Sequence, residues 1–249
     1  MKLIIAEKPS LGRNIAAGIE SMPGAEKMRR RDGFLEGNGY VVSWAFGHLF
    51  SLEDIEHYCP SPDGSGRWTM ENLPCFPEKF DFSLRHDRKK GVDPGVEKQF
   101  RLLVSLCNRA DTEEIINAGD ADREGEIIIR LCISHALHTE KPCKRLWLPD
   151  QTPQTVVQAL AQTADERAYD NLANEGFART YIDWLYGVNL TRYATLNASA
   201  RGAGDCTDCP HNLRPGHGNP EFCSRQVLCD CQSGKDKRRR GGACQQAPV

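Results

Sequence analysis

The chain has 249 residues, 39% of them hydrophobic, and its 34 Asp and Glu outnumber 32 Lys and Arg for a net charge of −2. That length suits one domain of usual size plus an appendage, and the near-neutral balance leaves any nucleic-acid binding to local charge rather than to the whole molecule. The first apolar run is cut off by Glu7 and Lys8; it is too short for a signal segment or a membrane span, so a cytoplasmic, non-membrane chain is expected.

In chain order, Lys2-Leu3-Ile4-Ile5-Ala6 reads as a buried strand. Glu7-Lys8-Pro9-Ser10 ends it, and residues 11–19 read as a helix with Ser10 as its N-cap. Residues 34–44 read as a β-hairpin turning at Asn38-Gly39, the favoured pair for a type I′ turn. Residues 58–95 are rich in Pro, Gly and aromatics, including Tyr58, Trp68, Phe76, Phe80 and Phe82, which suggests an ordered, loop-rich excursion rather than a linker. Residues 94–109 and 153–165 have helical periodicity, and 145–148 is a short strand candidate. Residues 175–196 read as an amphipathic helix in which Arg179 and Arg192 are interleaved with Trp184 and Tyr193. Cations and rings in that mixture suit a single strand of DNA, although Trp184, Leu185 and Leu190 at helical spacing also suit a core. Of eleven cysteines, Cys59, Cys75, Cys107, Cys132 and Cys143 are scattered as packed free thiols would be; the other six crowd into the last 49 residues.

The densest chemistry lies in 117–130, Asn-Ala-Gly-Asp-Ala-Asp-Arg-Glu-Gly-Glu-Ile-Ile-Ile-Arg. Asp120, Asp122 and Glu124 follow the apolar Ile115-Ile116 on alternate positions. Like charges so close raise one another's proton affinity unless a cation neutralises them, and hard oxygen ligands grouped with phosphate suit Mg²⁺. Acidic residues also favour a first helical turn, so a solvated helix start is the competing reading. Strand, acidic turn and apolar helix together are the layout that places ligand groups at the carboxyl edge of a parallel sheet. Glu7 and Lys8 end a second strand in the same manner, which makes a two-part phosphate site the stronger interpretation.

These residues resemble a known family. Ile5-Ala6-Glu7-Lys8-Pro9-Ser10 with Asp120-x-Asp122-Arg123-Glu124-Gly125-Glu126 is similar to the Toprim domain of type IA DNA topoisomerases, and most similar to the bacterial topoisomerase III group. Asp32-Gly33-Phe34, the stretch from Gly37 to Trp44, and Gly47-His48-Leu49 follow the same order. Ala178-Arg179 and the run from Asp183 to Arg192 resemble the start of that family's DNA-binding domain IV. The likeness covers about residues 1–196. It implies an α/β fold, a Rossmann-like parallel sheet flanked by helices over 1–150, a partial domain IV-like helical segment over 151–200, and an unstructured or frameshifted Cys-rich tail over 201–249.

The resemblance also implies roles. Glu7 would exchange a proton with the 3′ oxygen that leaves and reattacks, and Lys8 would stabilise charge on the scissile phosphate. Asp120, Asp122 and Glu124 would hold Mg²⁺, while Arg123, Arg179 and Arg192 would contact single-stranded or underwound DNA in a nucleoid or plasmid. The family's tyrosine nucleophile has no counterpart: none of Tyr40, Tyr58, Tyr169, Tyr181, Tyr186 and Tyr193 lies in a Thr-Tyr-x-Arg-Thr-Asp context, and no Gly-Arg-Val-Gln-Thr-Pro motif follows Arg192. A truncated topoisomerase is therefore expected, one that binds Mg²⁺ and DNA but does not relax supercoils alone. A stand-alone Mg²⁺-dependent Toprim nuclease and a noncatalytic single-stranded-DNA-binding fragment are the alternatives.

In the tail, Cys206, Cys209, Cys223 and Cys229 offer zinc ligands, with finger-like spacing in the first pair. Cys229-x-Cys231 is too tight for the common closed sites, and a frameshifted or degenerate tail is the preferred reading. Because domain IV packs on parts that this chain lacks, Trp184, Leu185 and Tyr186 are expected to present an apolar face.

Overall fold

A computed structural model describes residues 1–61, 64, 69–86 and 91–200. The zinc candidates Cys206, Cys209, Cys223 and Cys229 lie outside the described residues, as do the rest of the tail and Trp68.

The described residues fall into two units. The first, 1–54 with 77–182, is built on strands β1 (Lys2–Ala6), β2 (Arg29–Arg31), β3 (Phe34–Gly37), β4 (Tyr40–Trp44), β5 (Phe50–Leu52), β6 (Phe82–Leu84), β7 (Glu114–Ala118), β8 (Cys143–Arg145) and β9 (Ala164–Asp165). Among the described residues, seven strands form one sheet in the order β2-β3-β4-β1-β7-β8-β9, and β5 pairs with β6 apart from it. The centre is parallel: β1 runs beside both β4 and β7, and β7 beside β8. The flanking strands β2, β3 and β9 are antiparallel additions.

Helices α1 (Pro9–Glu20) and α5 (Pro153–Ala161) cover one face, and α3 (Pro94–Cys107) and α4 (Arg123–Ala136) the other. The continuous apolar run of β1 follows from this double cover. Leu3 and Ile5 enter the core with Leu103, Leu106, Ile128 and Ile129, whereas Ile4 and Ala6 enter the opposite core with Leu11, Ile15, Val156 and Leu160. Central parallel strands therefore end at a common edge, and α1 and α4 begin there.

The hairpin forms as its sequence predicts, with Asn38 at φ 52° and Gly39 at φ 80° between β3 and β4, the left-handed pair that a type I′ turn requires. Three expectations need correction. The helix expected over 153–165 ends at Ala161, because Ala164 and Asp165 pair with β8 as β9 instead. Ser10 is not the N-cap of α1: the helix begins two residues earlier than expected, with Pro9 in its first turn, Lys8 is the extended cap residue, and no side chain caps it. Proline's fixed φ and missing N–H suit that first position without a polar cap. The strand expected at 145–148 lies instead at β8, because pairing with Ile115 to Asn117 ends at Arg145, whose side chain turns into the interior.

The second unit comprises 55–76 and the chain from 183 onward, described as far as 200. It contains α2 (Ile55–Tyr58) and the later part of α6 (Asp170–Ala200). Within it Trp184 packs edge-on against Tyr58 with ring centroids 5.4 Å apart. Trp184 and Leu185 are half-buried, whereas Tyr186, Leu190 and Tyr193 are exposed. The expected apolar face is thus carried by Tyr186 and its neighbours a turn and two turns on, not by Trp184.

Candidate active site

The site is assembled at the tips of β1 and β7, which lie side by side with Ala6 opposite Ala118. Glu7 and Lys8 continue β1, and Asp120 follows β7 by two residues. The Lys8 ammonium bridges the two tips, 2.9 Å from Glu7 Oε1 and 2.8 Å from Asp120 Oδ2. The second oxygen of Glu7 accepts from the Asp120 backbone N–H at 3.2 Å. Asp120 first, and Glu7 next, hold the Lys8 amine well above its ordinary value, so it remains an ammonium. Glu7 is buried and Lys8 half-exposed, which leaves a fixed carboxylate beneath an accessible cation. Backbone bonds from Ala45 N–H to the Ala6 carbonyl (2.8 Å) and from Gly47 N–H to the Glu7 carbonyl (3.0 Å) tie the loop after β4 to the same tip.

The β7 tip turns so tightly into α4 that only glycine fits at two places. A Cβ on Gly119 would lie 2.0 Å from the Gly125 carbonyl oxygen, and one on Gly125 would lie 2.4 Å from Asp120 N. Asp122 is the N-cap of α4, one oxygen accepting from Gly125 N–H at 2.7 Å. Such a cap satisfies one of the helix's orphan N–H groups. Glu124 lies in the first turn of α4, its Oε2 3.5 Å from His48 Nε2.

The carboxylates do not form a closed cage; among the described residues, no three His, Cys, Asp or Glu side chains converge on one point. The donor set nonetheless fits Mg²⁺, which takes hard oxygens, keeps several waters and commonly binds one or two carboxylates with the remainder supplied by phosphate. Asp120 and Asp122 each commit one carboxylate oxygen to Lys8 or to the cap, and Glu124 stands one helical step away.

The arginines divide. Arg123 opens α4 and is paired with Glu175 at 2.8 Å. Arg179 is exposed on α6 within the first unit. Arg192 belongs to the second unit, where it is largely buried and bonds Glu56 at 2.9 Å.

Beneath the β7 tip lies a buried charged network whose roles sequence reasoning did not assign. Arg145 is fully buried; its Nη1 donates to the carbonyls of Asn117 (3.3 Å), Gly119 (2.9 Å) and Leu146 (2.9 Å), and its Nη2 donates to that of Asp120 (2.8 Å). Its Nε approaches Glu126 Oε2 to 2.6 Å as an ion pair whose angle is not that of a hydrogen bond. Burial pulls the Arg145 guanidinium below its usual range, and Glu126 opposes that shift. Glu126 also accepts from Arg130 Nε at 2.6 Å, and Arg130 reaches Asp170 at 2.7 Å. Burial raises the Glu166 carboxyl, which receives Asn117 Nδ2 at 3.4 Å. Trp147 and Tyr169 stack at 5.3 Å and the Arg145 guanidinium lies 5.0 Å from the indole centroid. The sequence signal was a lone Arg beside Leu-Trp-Leu and a Glu one residue past Gly125; what joins them is packing across the sheet, which periodicity does not report.

The Toprim domain family matches residues 2–149. The chain is 36% identical over 199 residues to a DNA topoisomerase 3 of Staphylococcus epidermidis, 37% over 200 to one of Staphylococcus saprophyticus and 35% over 200 to one of Shouchella clausii. Each match covers 80% of this chain but only 25–26% of the relative. The chain therefore spans about a quarter of the length of these curated relatives. No helix among the described residues is long and apolar enough to cross a membrane.

Proposed function

This chain belongs to the Toprim domain family, and from that premise we propose that its strand-tip site acts on a DNA phosphodiester as the Toprim half of type IA topoisomerase chemistry. The observation that carries this reading is the Lys8 ammonium held between Glu7 and Asp120 at 2.9 and 2.8 Å. A cation fixed over two carboxylates is preorganised for the charge that builds on a phosphate during displacement, and fixed charge of this kind needs no reorganisation as the reaction proceeds.

In this scheme Lys8 faces a nonbridging phosphate oxygen. Glu7, buried behind it, exchanges a proton with the sugar 3′ oxygen, protonating it as the bond breaks and taking the proton back when the strand is rejoined. Asp120, Asp122 and Glu124 would hold Mg²⁺, and the ion would supply charge neutralisation at the phosphate. Arg123 and Arg179 grip the backbone by paired N–H donors. The 249 residues contain no tyrosine in the context expected of the nucleophile, so the tyrosine comes from outside this stretch of sequence. The DNA is single-stranded or underwound, which places the work at a nucleoid or plasmid.

Fluorescence anisotropy with a labelled single-stranded oligonucleotide, with and without Mg²⁺, tests the reading alongside a supercoiled-plasmid assay. Mg²⁺-strengthened binding that is lost in a Lys8→Ala, Asp122→Asn variant, without relaxation or nicking, is the expected result. Metal-dependent nicking by the purified chain would instead favour the nuclease, and binding indifferent to both changes would favour a noncatalytic binder.

A further inference from the structure

Among its described residues the second unit carries two free thiols, Cys59 and Cys75, that none of the proposed chemistry uses. Their Sγ atoms lie 2.6 Å apart across a sequence separation of 16 residues. Each is fixed by its backbone rather than carried on a loose arm. Cys59 N–H donates to the Ile55 carbonyl at 2.7 Å, continuing the turn of α2. Cys75 is gripped on both sides by one α6 side chain: its N–H donates to Asn189 Oδ1 at 2.7 Å, and Asn189 Nδ2 donates to its carbonyl at 3.0 Å. Cys75 is fully buried and Cys59 half-buried, so only Cys59 meets solvent. Cys59 also lines a small cavity with Glu56, Ser61, Thr69, Asn72 and Arg192.

We propose that Cys59 and Cys75 are an oxidation site, converted to an intramolecular disulfide by exchange with a small-molecule disulfide such as oxidised glutathione. The Cys59 thiolate attacks one sulfur of the reagent, forming a mixed disulfide and expelling one thiolate, which takes up a proton. Cys75 then gives its proton to solvent and its sulfur attacks Cys59 Sγ; the protein disulfide forms and the second small thiol leaves. The protein loses two electrons and two protons, and the reagent disulfide gains both as two thiols. Burial, with the neighbouring Cys59, pushes the Cys75 thiol up to about 12, while Arg192 favours its thiolate. The exposed sulfur is therefore the entry point and the buried one the resolving partner. The bond replaces a hydrogen-bonded attachment with a covalent chain from α2 through Cys75 to the Asn189 clamp on α6.

The test uses the full chain, equilibrated in glutathione buffers of rising oxidised fraction, quenched in acid, alkylated and digested with trypsin. Cleavage after Arg31, Arg67 and Lys79 puts Cys59 in the peptide 32–67 and Cys75 in 68–79. The expected product is these two peptides joined, with both thiols lost from alkylation, and it should revert in reduced glutathione while circular dichroism stays unchanged. In Cys75→Ser the reaction should stop after the first step, leaving one glutathione on Cys59. Both thiols remaining alkylatable, Cys59 persisting as a mixed disulfide in the unmodified chain, or Cys59 joined to a cysteine from 201–249 would each overturn the proposal. Running the same series, trypsin step included, on urea-unfolded chain gives the control, in which the specific pairing should be lost.

Discussion

The tips of β1 and β7 meet in one site but are built in opposite ways. The β1 tip exposes its cation and is joined to its neighbour through Lys8 and one bond from Asp120 N–H to Glu7. The β7 tip presents acids, and nearly everything that fixes it comes from the interior: two face-to-face glycines, the Asp122 cap, and Arg145 holding the carbonyls of Asn117, Gly119 and Asp120. The contrast separates two tasks. Changes at the β7 tip should cost folding stability, because they leave buried groups without partners, whereas changes at the β1 tip should cost chemistry and little stability.

Arg145→Met would break this division most severely if it proved mild. It strips three carbonyls near the tip of a donor and leaves Glu126 buried beside an apolar chain, so a loss of about 3–5 kcal/mol is expected in denaturant unfolding. Gly125→Ala comes next. Its Cβ would lie 2.4 Å from Asp120 N and 2.5 Å from the Asp120 carbonyl oxygen, and backbone cannot swing aside as a side chain can, so thermal unfolding should show a loss of roughly 1–3 kcal/mol. Asp122→Ala removes the cap of α4 and should cost about 1 kcal/mol; Asp122→Asn, which still accepts a hydrogen bond, should recover most of it.

The smallest stability effect belongs to Lys8→Met. The Lys8 side chain is 52% exposed, and solvent-screened pairs contribute under about 1 kcal/mol. Its amine is raised in the folded state, so the stabilisation is complete below the ordinary lysine range of about 10.4 and is lost as pH climbs through the folded value. The difference between the parent chain and Lys8→Met should stay constant from neutral pH to about 9 and vanish at more alkaline pH. A difference that instead vanished on acidification from neutral pH to about 5, above the ordinary carboxylate range, would show that Lys8 is not the titrating partner.

How far the sequence could be read follows the same line. Local patterns carried β1, β7, the Asn38-Gly39 turn and α3, because apolar runs, turn chemistry and helical periodicity are properties of neighbouring residues. Glu7, Lys8 and the acidic run were visible as two strand tips, and the Lys8 to Asp120 link across 112 residues agrees with placing them together. Arg145 escaped because its partners are backbone carbonyls up to 28 residues away, and a buried Arg in a strand looks like any surface cation until the packing is known. Ser10 misled for a simpler reason: Ser is the commoner cap, but Pro9 had already set the first helical turn. The second unit was likewise hidden, since Cys75 meets Asn189 across 114 residues and Cys75 belongs to no recognisable pattern.

The measurement that bears most directly on the two-tip site is a Mn²⁺ titration followed by amide line broadening in ¹⁵N-labelled protein. Asp120, Asp122, Gly125 and Glu7 should broaden first, Mg²⁺ should reverse the effect, and an Asp120→Asn, Asp122→Asn double variant should abolish it while its fold is retained. Broadening that begins elsewhere, or that survives unchanged in the double variant, would contradict a cation site at the ends of β1 and β7.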